Sequence, residues 1–222
     1  MTHFRLESTV LFHCGPVPIT RTVVTTWGLM AVVTITCWLA TRAFQVVARG
    51  SQAVIESIVV GIEEQIQAII GREAEPFLPL LGTLFIFLVI ANLSGVLPGV
   101  TAPTAALETP AALAAIVFLS VHFFGIRIQG LVPYLKGYLE PNPALLPLNI
   151  LSEITRSFSL AVRLFGNIMS DDLVLAIVLA LAGLLVPIPF MAFAILIGLV
   201  QAYIFTILAA VYIGGGIGAI PK

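Results

Sequence analysis

Charged residues are scarce in this sequence, and their scarcity decides the class of protein. Only 9% of the 222 residues are Asp, Glu, Lys or Arg, whereas 59% are hydrophobic, and the mean hydropathy is +1.12. Soluble domains carry about 25% charged residues, so the composition excludes a soluble enzyme and predicts an integral membrane protein. The net charge of −1 comes without a basic block, and nucleic acid is therefore not an expected partner.

Cysteines and metal-ligand patterns are also sparse. The two cysteines, Cys14 and Cys37, are too few for a disulfide framework. His13 precedes Cys14 and His3 lies nearby, but these residues lack the spacing of a metal site. The glycine run at 214–216 is not followed by the Lys-Ser/Thr pair of a phosphate-binding loop. We therefore expect no metal, no cofactor and no catalytic chemistry within this chain.

Long uncharged runs predict where the chain crosses the bilayer. An uncharged stretch of 20 residues at 22–41 lies between two arginines, and further apolar runs occupy residues 77–97, 111–124 and 190–213. About 20 apolar residues span a bilayer core. Residues 148–185 contain no proline and predict one helix of 38 residues, about 57 Å long. Such a helix must tilt steeply in a core about 30 Å thick. The predicted fold class is an all-α integral membrane protein with about five transmembrane helices, the last two forming a long, strongly tilted hairpin.

Residues 51–72 differ from these runs. Isoleucine and valine recur there at helical spacing while glutamates lie mostly on the other face, which predicts an amphipathic helix at the membrane surface. Residues 125–147 contain charges and a Pro-Asn-Pro sequence, and we expect them to be irregular. We assign residues 1–222 to a single membrane domain, with an extracytoplasmic N-terminal segment at 1–21 and membrane helices at 22–216.

The loop charges predict the orientation of the chain. Arg42, Arg49 and Arg72 fall on one side of the membrane, as do Arg127 and Lys136, while residues 100–110 contain neither Lys nor Arg. Because Lys and Arg accumulate in cytoplasmic loops, the N-terminus is expected outside and the C-terminus in the cytoplasm.

Arg163 is the most informative residue because it is a cation inside an apolar run. Such a charge costs about 2.5–3.5 kcal/mol at the centre of a membrane helix on insertion scales, and it usually marks an ion path or an intramembrane partner. Asp172 falls on the opposite side of a helical wheel. The polar residues that share or border the face of Arg163 are Glu153, Arg156, Ser159, Asn167, Ser170 and Asp171.

Two interpretations of this polar face remain open. The face could pair with neighbouring helices, while the charges of Glu153 and Arg156 reach the membrane surface. Alternatively, the guanidinium of Arg163, which stays protonated, draws the carboxylate of a moving partner into its ionised form and blocks a direct ion leak. Polar neighbours would then line water-filled access paths.

The last apolar run carries a second polar position. Gln201 lies on nearly the same helical face as Phe205, Leu208 and Tyr212. A single Gln in a membrane helix is often no more than a hydrogen bond between helices, and Asn92 near the end of the second span allows the same interpretation. An interhelical bond and a place on an ion path both remain open for Gln201.

Four segments resemble the a subunit of F-type ATP synthases in its bacterial and chloroplast form. Residues 159–173 (SLAVRLFGNIMSDDL) resemble its fourth span, and residues 147–151 (PLNIL) resemble the segment that leads into that span. Residues 92–98 (NLSGVLP) resemble the end of its second span, and residues 201–213 (QAYIFTILAAVYI) resemble its fifth. The resemblance covers residues 77–216, and the combination of arginine and glutamine segments makes it specific.

The resemblance implies an ion-translocating stator subunit of a rotary ATP synthase. Arg163 would be the essential arginine facing the ring of c subunits, with Gln201 as its polar neighbour. Asn167 and Asp172 would border one aqueous half-channel. The residues implied near the cytoplasmic access path are Glu153 and Arg156, and Ser170 and Tyr212 complete the set of candidate ion-translocation residues.

The resemblance also implies partners, location and an ion. The partners would be the c-subunit ring, the b subunit or peripheral stalk, the remaining ATP synthase subunits and the lipid bilayer. The chain would be a multi-pass protein of the bacterial inner membrane. Its arginine and two half-channels would couple proton flow, or alternatively sodium flow, to rotation of the c ring, while ATP chemistry would belong to other subunits.

Two features depart from the family pattern. Some members carry a second ionisable residue seven positions before the glutamine, but this chain has Ala194 there, which deprives Asp172 of that titrating partner. Glu108 matches no family segment. A secondary transporter with an intramembrane Arg163 site is the alternative function, although such proteins usually have internal repeats and broken helices, and the sequence has neither. A purely structural membrane subunit would not explain Arg163.

Overall fold

The chain folds into helices that follow one short hairpin. The computed structural model describes residues 10–14, 17–42, 50–95, 102–139, 144, 146–182 and 187–218. Strands β1 (Val10–Cys14) and β2 (Val17–Thr20) pair antiparallel, and a 3₁₀ turn lies at Pro103–Ala105. The helices in these ranges are α1 (Arg21–Arg42), α2 (Ser51–Ile70), α3 (Leu78–Ser94), α4 (Glu108–Gln129), α5 (Leu131–Leu139), α6 (Leu146–Ala182) and α7 (Pro187–Gly216).

The predicted all-α membrane fold is confirmed, with the hairpin as an unpredicted addition to the N-terminal segment. The described helices that are long and apolar enough to cross a membrane contain the stretches Thr22–Leu39, Glu108–Gln129, Leu146–Leu181 and Ile188–Gly216. Helix α3 is strongly apolar but has only 17 residues. Its length of about 26 Å falls slightly short of a bilayer core of about 30 Å.

Helix α6 is the long helix that the sequence predicts. Its 37 residues extend over about 55 Å, which exceeds the thickness of a bilayer core. Pro187 begins α7, where its fixed backbone angle suits a first helical position. Because residue 167 of α6 contacts residue 201 of α7 while residue 156 contacts residue 212, the two helices run antiparallel.

The expectation that residues 125–147 are irregular is wrong for most of this stretch. Helix α4 continues to Gln129, and α5 follows after a single residue. That residue is Gly130, whose φ of 87° is a conformation that residues with a Cβ rarely adopt. Pro133 lies in the first turn of α5, where the N–H that proline lacks is not needed by the helix. The Pro-Asn-Pro sequence lies outside the described residues.

Helix α7 lies at the centre of the bundle, in contact with α2, α3, α4 and α6. Ala202 and Ala209 of α7 are fully buried, and small residues of this kind allow membrane helices to approach closely. On the predicted apolar face of α2, Ile66 is buried while Val54 and Ile58 are exposed, and Glu64 of the other face is exposed. By contrast, no residue of the apolar stretch of α1 is buried.

Candidate functional site

Arg163 lies on the outward face of α6. Leu160 and Leu164 on either side of it are buried against the rest of the bundle, whereas Arg163 and Val162 are exposed. Among the side chains that the structure describes, none forms an ion pair with Arg163. The cation therefore points away from the chain, and a charge in this position is available to a group outside it.

One turn beyond Arg163, a hydrogen bond joins α6 to α7. Asn167 Nδ2 donates to Gln201 Oε1 across 2.7 Å. Gln201 is only 3% exposed, and its Nε2 atom has no hydrogen-bond acceptor among the described residues. A buried N–H without an acceptor costs about 1–3 kcal/mol. The amide of Gln201 thus offers a donor close to the face that carries Arg163.

On the other side of Arg163, a groove separates the first half of α6 from the last half of α7. The guanidinium carbon of Arg156 lies 5.9 Å from the ring centroid of Tyr212, within the range of a cation–π contact. This groove has a volume of about 380 Å³. Its lining consists of Leu148, Leu151, Ser152, Thr155, Arg156, Ser159 and Tyr212.

The hydroxyl residues of this groove follow the polar face of α6. Ser152, Thr155 and Ser159 are separated by three and four residues, so they lie on one side of the helix. Ser159 precedes Arg163 by four residues, which is one helical turn. The groove therefore leads along hydroxyl groups to a point one turn from Arg163.

Two tyrosines that the sequence analysis missed lie beside this region. The hydroxyl groups of Tyr134 and Tyr138 are 2.9 Å apart, and Asn149 Nδ2 of α6 donates to the carbonyl oxygen of Tyr138 across 2.9 Å. Burial raises the pKa of both tyrosine hydroxyls, and the negative charge of Glu153 acts in the same direction. The four-residue spacing of the tyrosines would have placed them on one face, had α5 been predicted as a helix.

The remaining candidate residues are dispersed. Ser170 is exposed on α6 one turn beyond Asn167, and Asp171 is half-buried. Asp172 belongs to α6, but its side chain lies outside the described part of the chain. Glu108 accepts a 2.8 Å hydrogen bond from Thr20, which connects the start of α4 to strand β2. The structure thus groups Asn167 with Gln201, and Arg156 with Tyr212, on opposite sides of Arg163.

Asn92, near the end of α3, forms the interhelical hydrogen bond that the sequence analysis left open for it. Its Nδ2 donates to the carbonyl oxygen of Gly198 on α7 across 2.8 Å, and its Oδ1 accepts a hydrogen bond from Thr104 across 3.1 Å. All three residues are buried. Both ends of the Asn92 amide are therefore paired inside the bundle.

Comparison with known proteins gives consistent matches over nearly the whole chain. The profile of a family described as ATP synthase A chain matches residues 23–214. A protein named ATP synthase subunit a 2 from Bradyrhizobium sp. (strain BTAi1) is 61% identical over 217 residues, which cover 98% of this chain and 97% of that protein.

Two other relatives are more distant. A protein named ATP synthase subunit a 2 from Pelobacter propionicus is 49% identical over 213 residues, covering 96% of this chain and 93% of that protein. A protein named ATP synthase subunit a from Legionella pneumophila (strain Philadelphia 1) is 45% identical over 209 residues, covering 94% of this chain and 91% of that protein.

Proposed function

Because the chain belongs to the family of ATP synthase A chains, we propose that it is the stator subunit in which Arg163 and two half-channels couple proton flow to rotation of the c ring. Family membership makes it a multi-pass membrane subunit of an ATP synthase complex with a role in ion translocation. The observation that carries the finer proposal is the outward position of Arg163, between the Arg156–Tyr212 groove and the Asn167–Gln201 hydrogen bond.

Arg163 provides a fixed positive charge that cannot itself relay protons. Opposite charge favours the ionised form of a carboxylate, whereas apolar surroundings favour its protonated form. A rotor carboxylate that arrives at Arg163 therefore releases its ion, and it takes up another before it moves into lipid. The same fixed cation prevents ions from passing directly between the two half-channels.

The groove beside Arg156 and Tyr212 supports a cytoplasmic half-channel. Its hydroxyl residues can hold water along α6 up to the turn that precedes Arg163. Glu153 lies next to Ser152 and near the Tyr134–Tyr138 pair, so it supplies a negative charge at the same end of α6. The guanidinium of Arg156, 5.9 Å from the Tyr212 ring centroid, keeps the mouth of this path polar.

The residues beyond Arg163 support the outer half-channel. Asn167 and Ser170 are exposed on successive turns, and Asp172 follows on the same helix. The Nε2 atom of Gln201 is buried without an acceptor among the described residues, so it offers a hydrogen-bond donor to a water molecule that enters between α6 and α7. Asn167 and Ser170 extend the polar face of α6 away from the groove, as two separate access paths require.

The proposal includes the surroundings of the chain. We place it in the bacterial inner membrane with the N-terminus outside and the C-terminus in the cytoplasm, on the support of the Lys and Arg distribution. Its partners are the c-subunit ring, the b subunit or peripheral stalk and the other ATP synthase subunits. Sodium is the alternative ion, and ATP chemistry belongs to other subunits of the complex.

ATP-driven ion pumping by inverted membrane vesicles tests the proposal. We expect Arg163→Ala to assemble with the rotor and to lose pumping. Arg127→Ala is the matched control, because Arg127 is also an exposed arginine on an apolar helix but lies at the end of α4. Proton and sodium gradients measured in parallel identify the ion. Normal pumping by the assembled Arg163→Ala complex would disprove the proposed role of Arg163.

A further inference from the structure

The rotation of α7 about its own axis is not determined by hydrophobic burial. Among its 30 residues only Gln201, Tyr203, Thr206 and Tyr212 have polar side chains. Lipid tails solvate apolar side chains as well as other helices do, so membrane helices are oriented by close packing and hydrogen bonds. The few polar contacts of α7 therefore decide, together with the close packing of its small residues, which of its faces meets α6.

Asn92 makes the most enclosed of these polar contacts. It is 8% exposed, and the Thr104 hydroxyl that holds its Oδ1 is fully buried. Its Nδ2 donates to a backbone carbonyl of α7, at Gly198, rather than to a side chain. A bond to the backbone fixes both the depth and the rotation of α7. A side-chain acceptor could keep the bond by changing its rotamer when the helix moves, but a backbone carbonyl cannot.

Gly198 allows this bond to form. A Cβ atom at position 198 would lie 3.1 Å from the Cβ of Asn92, which is closer than ordinary van der Waals contact between carbons. The absence of a side chain at Gly198 thus lets the end of α3 approach the backbone of α7.

Gly198 and Gln201 are three residues apart, so they lie about one turn from each other on neighbouring faces of α7. On one face, α7 is held by Asn92 of α3. On the other, Gln201 accepts the hydrogen bond from Asn167, four residues after Arg163. A rotation of α7 that broke the Asn92 contact would also withdraw Gln201 from Asn167.

We propose that Asn92 is a positioning residue for ion translocation, which holds α7 at the depth and rotation where Gln201 meets Asn167. The inference rests on the proposed function for its effect on pumping, but the geometry can be measured without it. Thr104 supports the contact by holding Asn92 Oδ1, so that Nδ2 faces Gly198.

The test uses the assembled ATP synthase and three variants. Asn92→Leu removes both hydrogen bonds but keeps the branching and the number of side-chain heavy atoms, and Thr104→Val removes only the hydroxyl that orients Asn92. Ser94→Ala is the matched control, because Ser94 lies two residues further along α3 and, among the described residues, bonds within its own helix to the carbonyl oxygen of Ala91. Pumping is measured per ATP hydrolysed by the assembled complex, so a loss of assembly alone does not change the result.

A second measurement reports the geometry. Positions 167 and 201 are changed to cysteine in a chain whose Cys14 and Cys37 are replaced by alanine, and the two thiols are joined by a short bis-methanethiosulfonate linker. We expect Asn92→Leu to lower the yield of this link and to lower pumping about tenfold, since small misplacements of this kind are costly. Thr104→Val should have a smaller effect of about two- to threefold, and Ser94→Ala should change neither quantity.

Each outcome decides the inference. An undiminished link between positions 167 and 201 in Asn92→Leu overturns the positioning role, whatever happens to pumping. A reduced link with normal pumping overturns the part that concerns translocation. Failure of the proposed function is recognised separately, by normal pumping of Arg163→Ala. If Asn92→Leu does not assemble, Thr104→Val decides by the same two measurements.

Discussion

Asn167 of α6 and Gln201 of α7 share a hydrogen bond of 2.7 Å that runs from an exposed amide to a buried one. The bond ties the helix that carries Arg163 to the central helix of the bundle, one turn away from the cation. Because Gln201 accepts through Oε1, its Nε2 remains available as a donor, and no described residue accepts from it. The pair confirms the interhelical bond of Gln201, and its place on an ion path stays a proposal.

Loss of this bond should weaken the contact between α6 and α7. In Asn167→Ala, Gln201 keeps neither a donor nor an acceptor partner within the described part of the chain, which should cost about 0.6–1.7 kcal/mol in a membrane protein. In Asn167→Asp, the Gln201 amide can rotate by about 180° about its last side-chain torsion, so that Nε2 donates to the carboxylate of the new aspartate. We therefore expect the aspartate variant to be the more stable of the two.

The temperature at which the purified complex releases this subunit measures the effect. Ser170→Ala is the control, since Ser170 is exposed one turn further along α6. Release of Asn167→Ala at the same temperature as Ser170→Ala would contradict the importance of the bond.

The groove beside Arg156 should be open to water from the cytoplasm. Ser159 lines it, whereas the neighbouring Phe158 is exposed on α6 but lies outside it. After replacement of Cys14 and Cys37, Ser159→Cys should react with a membrane-impermeant maleimide in inverted vesicles at least about tenfold faster than Phe158→Cys. The reason is that the reactive thiolate forms in water and not in lipid. Equal rates at the two positions would count against a water-filled groove.

The sequence predicts the spans well because crossing a bilayer requires only length and apolar composition. It also places Arg163 and Asn167 on one face, since a helical wheel depends on nothing but the 3.6-residue repeat. It does not predict which residue of α7 meets Asn167. An apolar helix has no hydrophobic face of its own, and its rotation depends on distant contacts such as the one between Asn92 and Gly198.

Tyr134 and Tyr138 are missed by the sequence analysis because of the local sequence around them. The charges and the Pro-Asn-Pro sequence of residues 125–147 favour a loop interpretation, which hides the helix that brings Tyr134 and Tyr138 together. Glu108 belongs to no recognisable segment, because its partner Thr20 lies 88 residues away in sequence. Contacts of this kind follow from the packing of the bundle and not from a local pattern.

Alkaline pH should loosen the contact between α5 and α6. Burial raises the pKa of Tyr134 and of Tyr138 in the folded chain. The folded state therefore holds these protons more tightly than the unfolded state, whose tyrosines have a pKa of about 10. The stabilising effect is complete below about pH 10 and is lost as the pH rises above it.

The double variant Tyr134→Phe with Tyr138→Phe should be less sensitive to alkali than the unmodified chain. The test compares the temperature of subunit release at about pH 8 and about pH 11 for both chains. Tyr203→Phe is the control, since Tyr203 is exposed and bonds to Gln65 of α2. An equal alkaline shift in the double variant and the unmodified chain would assign the sensitivity to other groups.

Two adjacent glycines at the end of α7 should respond differently to alanine. A Cβ at Gly216 would lie 2.7 Å from Val121 Cγ1 and 3.2 Å from the Val121 carbonyl oxygen, whereas a Cβ at Gly215 has no atom within 4 Å. Gly216 also gives its carbonyl oxygen to Gln129 Nε2 across 2.9 Å. Gly216→Ala should therefore push α7 away from α4 at a cost of about 1–3 kcal/mol, and Gly215→Ala should be neutral or slightly stabilising because alanine favours helix. The amount of assembled complex and its temperature of subunit release measure both variants, and equal behaviour of the two would show that the α4–α7 contact is not close-packed at Gly216.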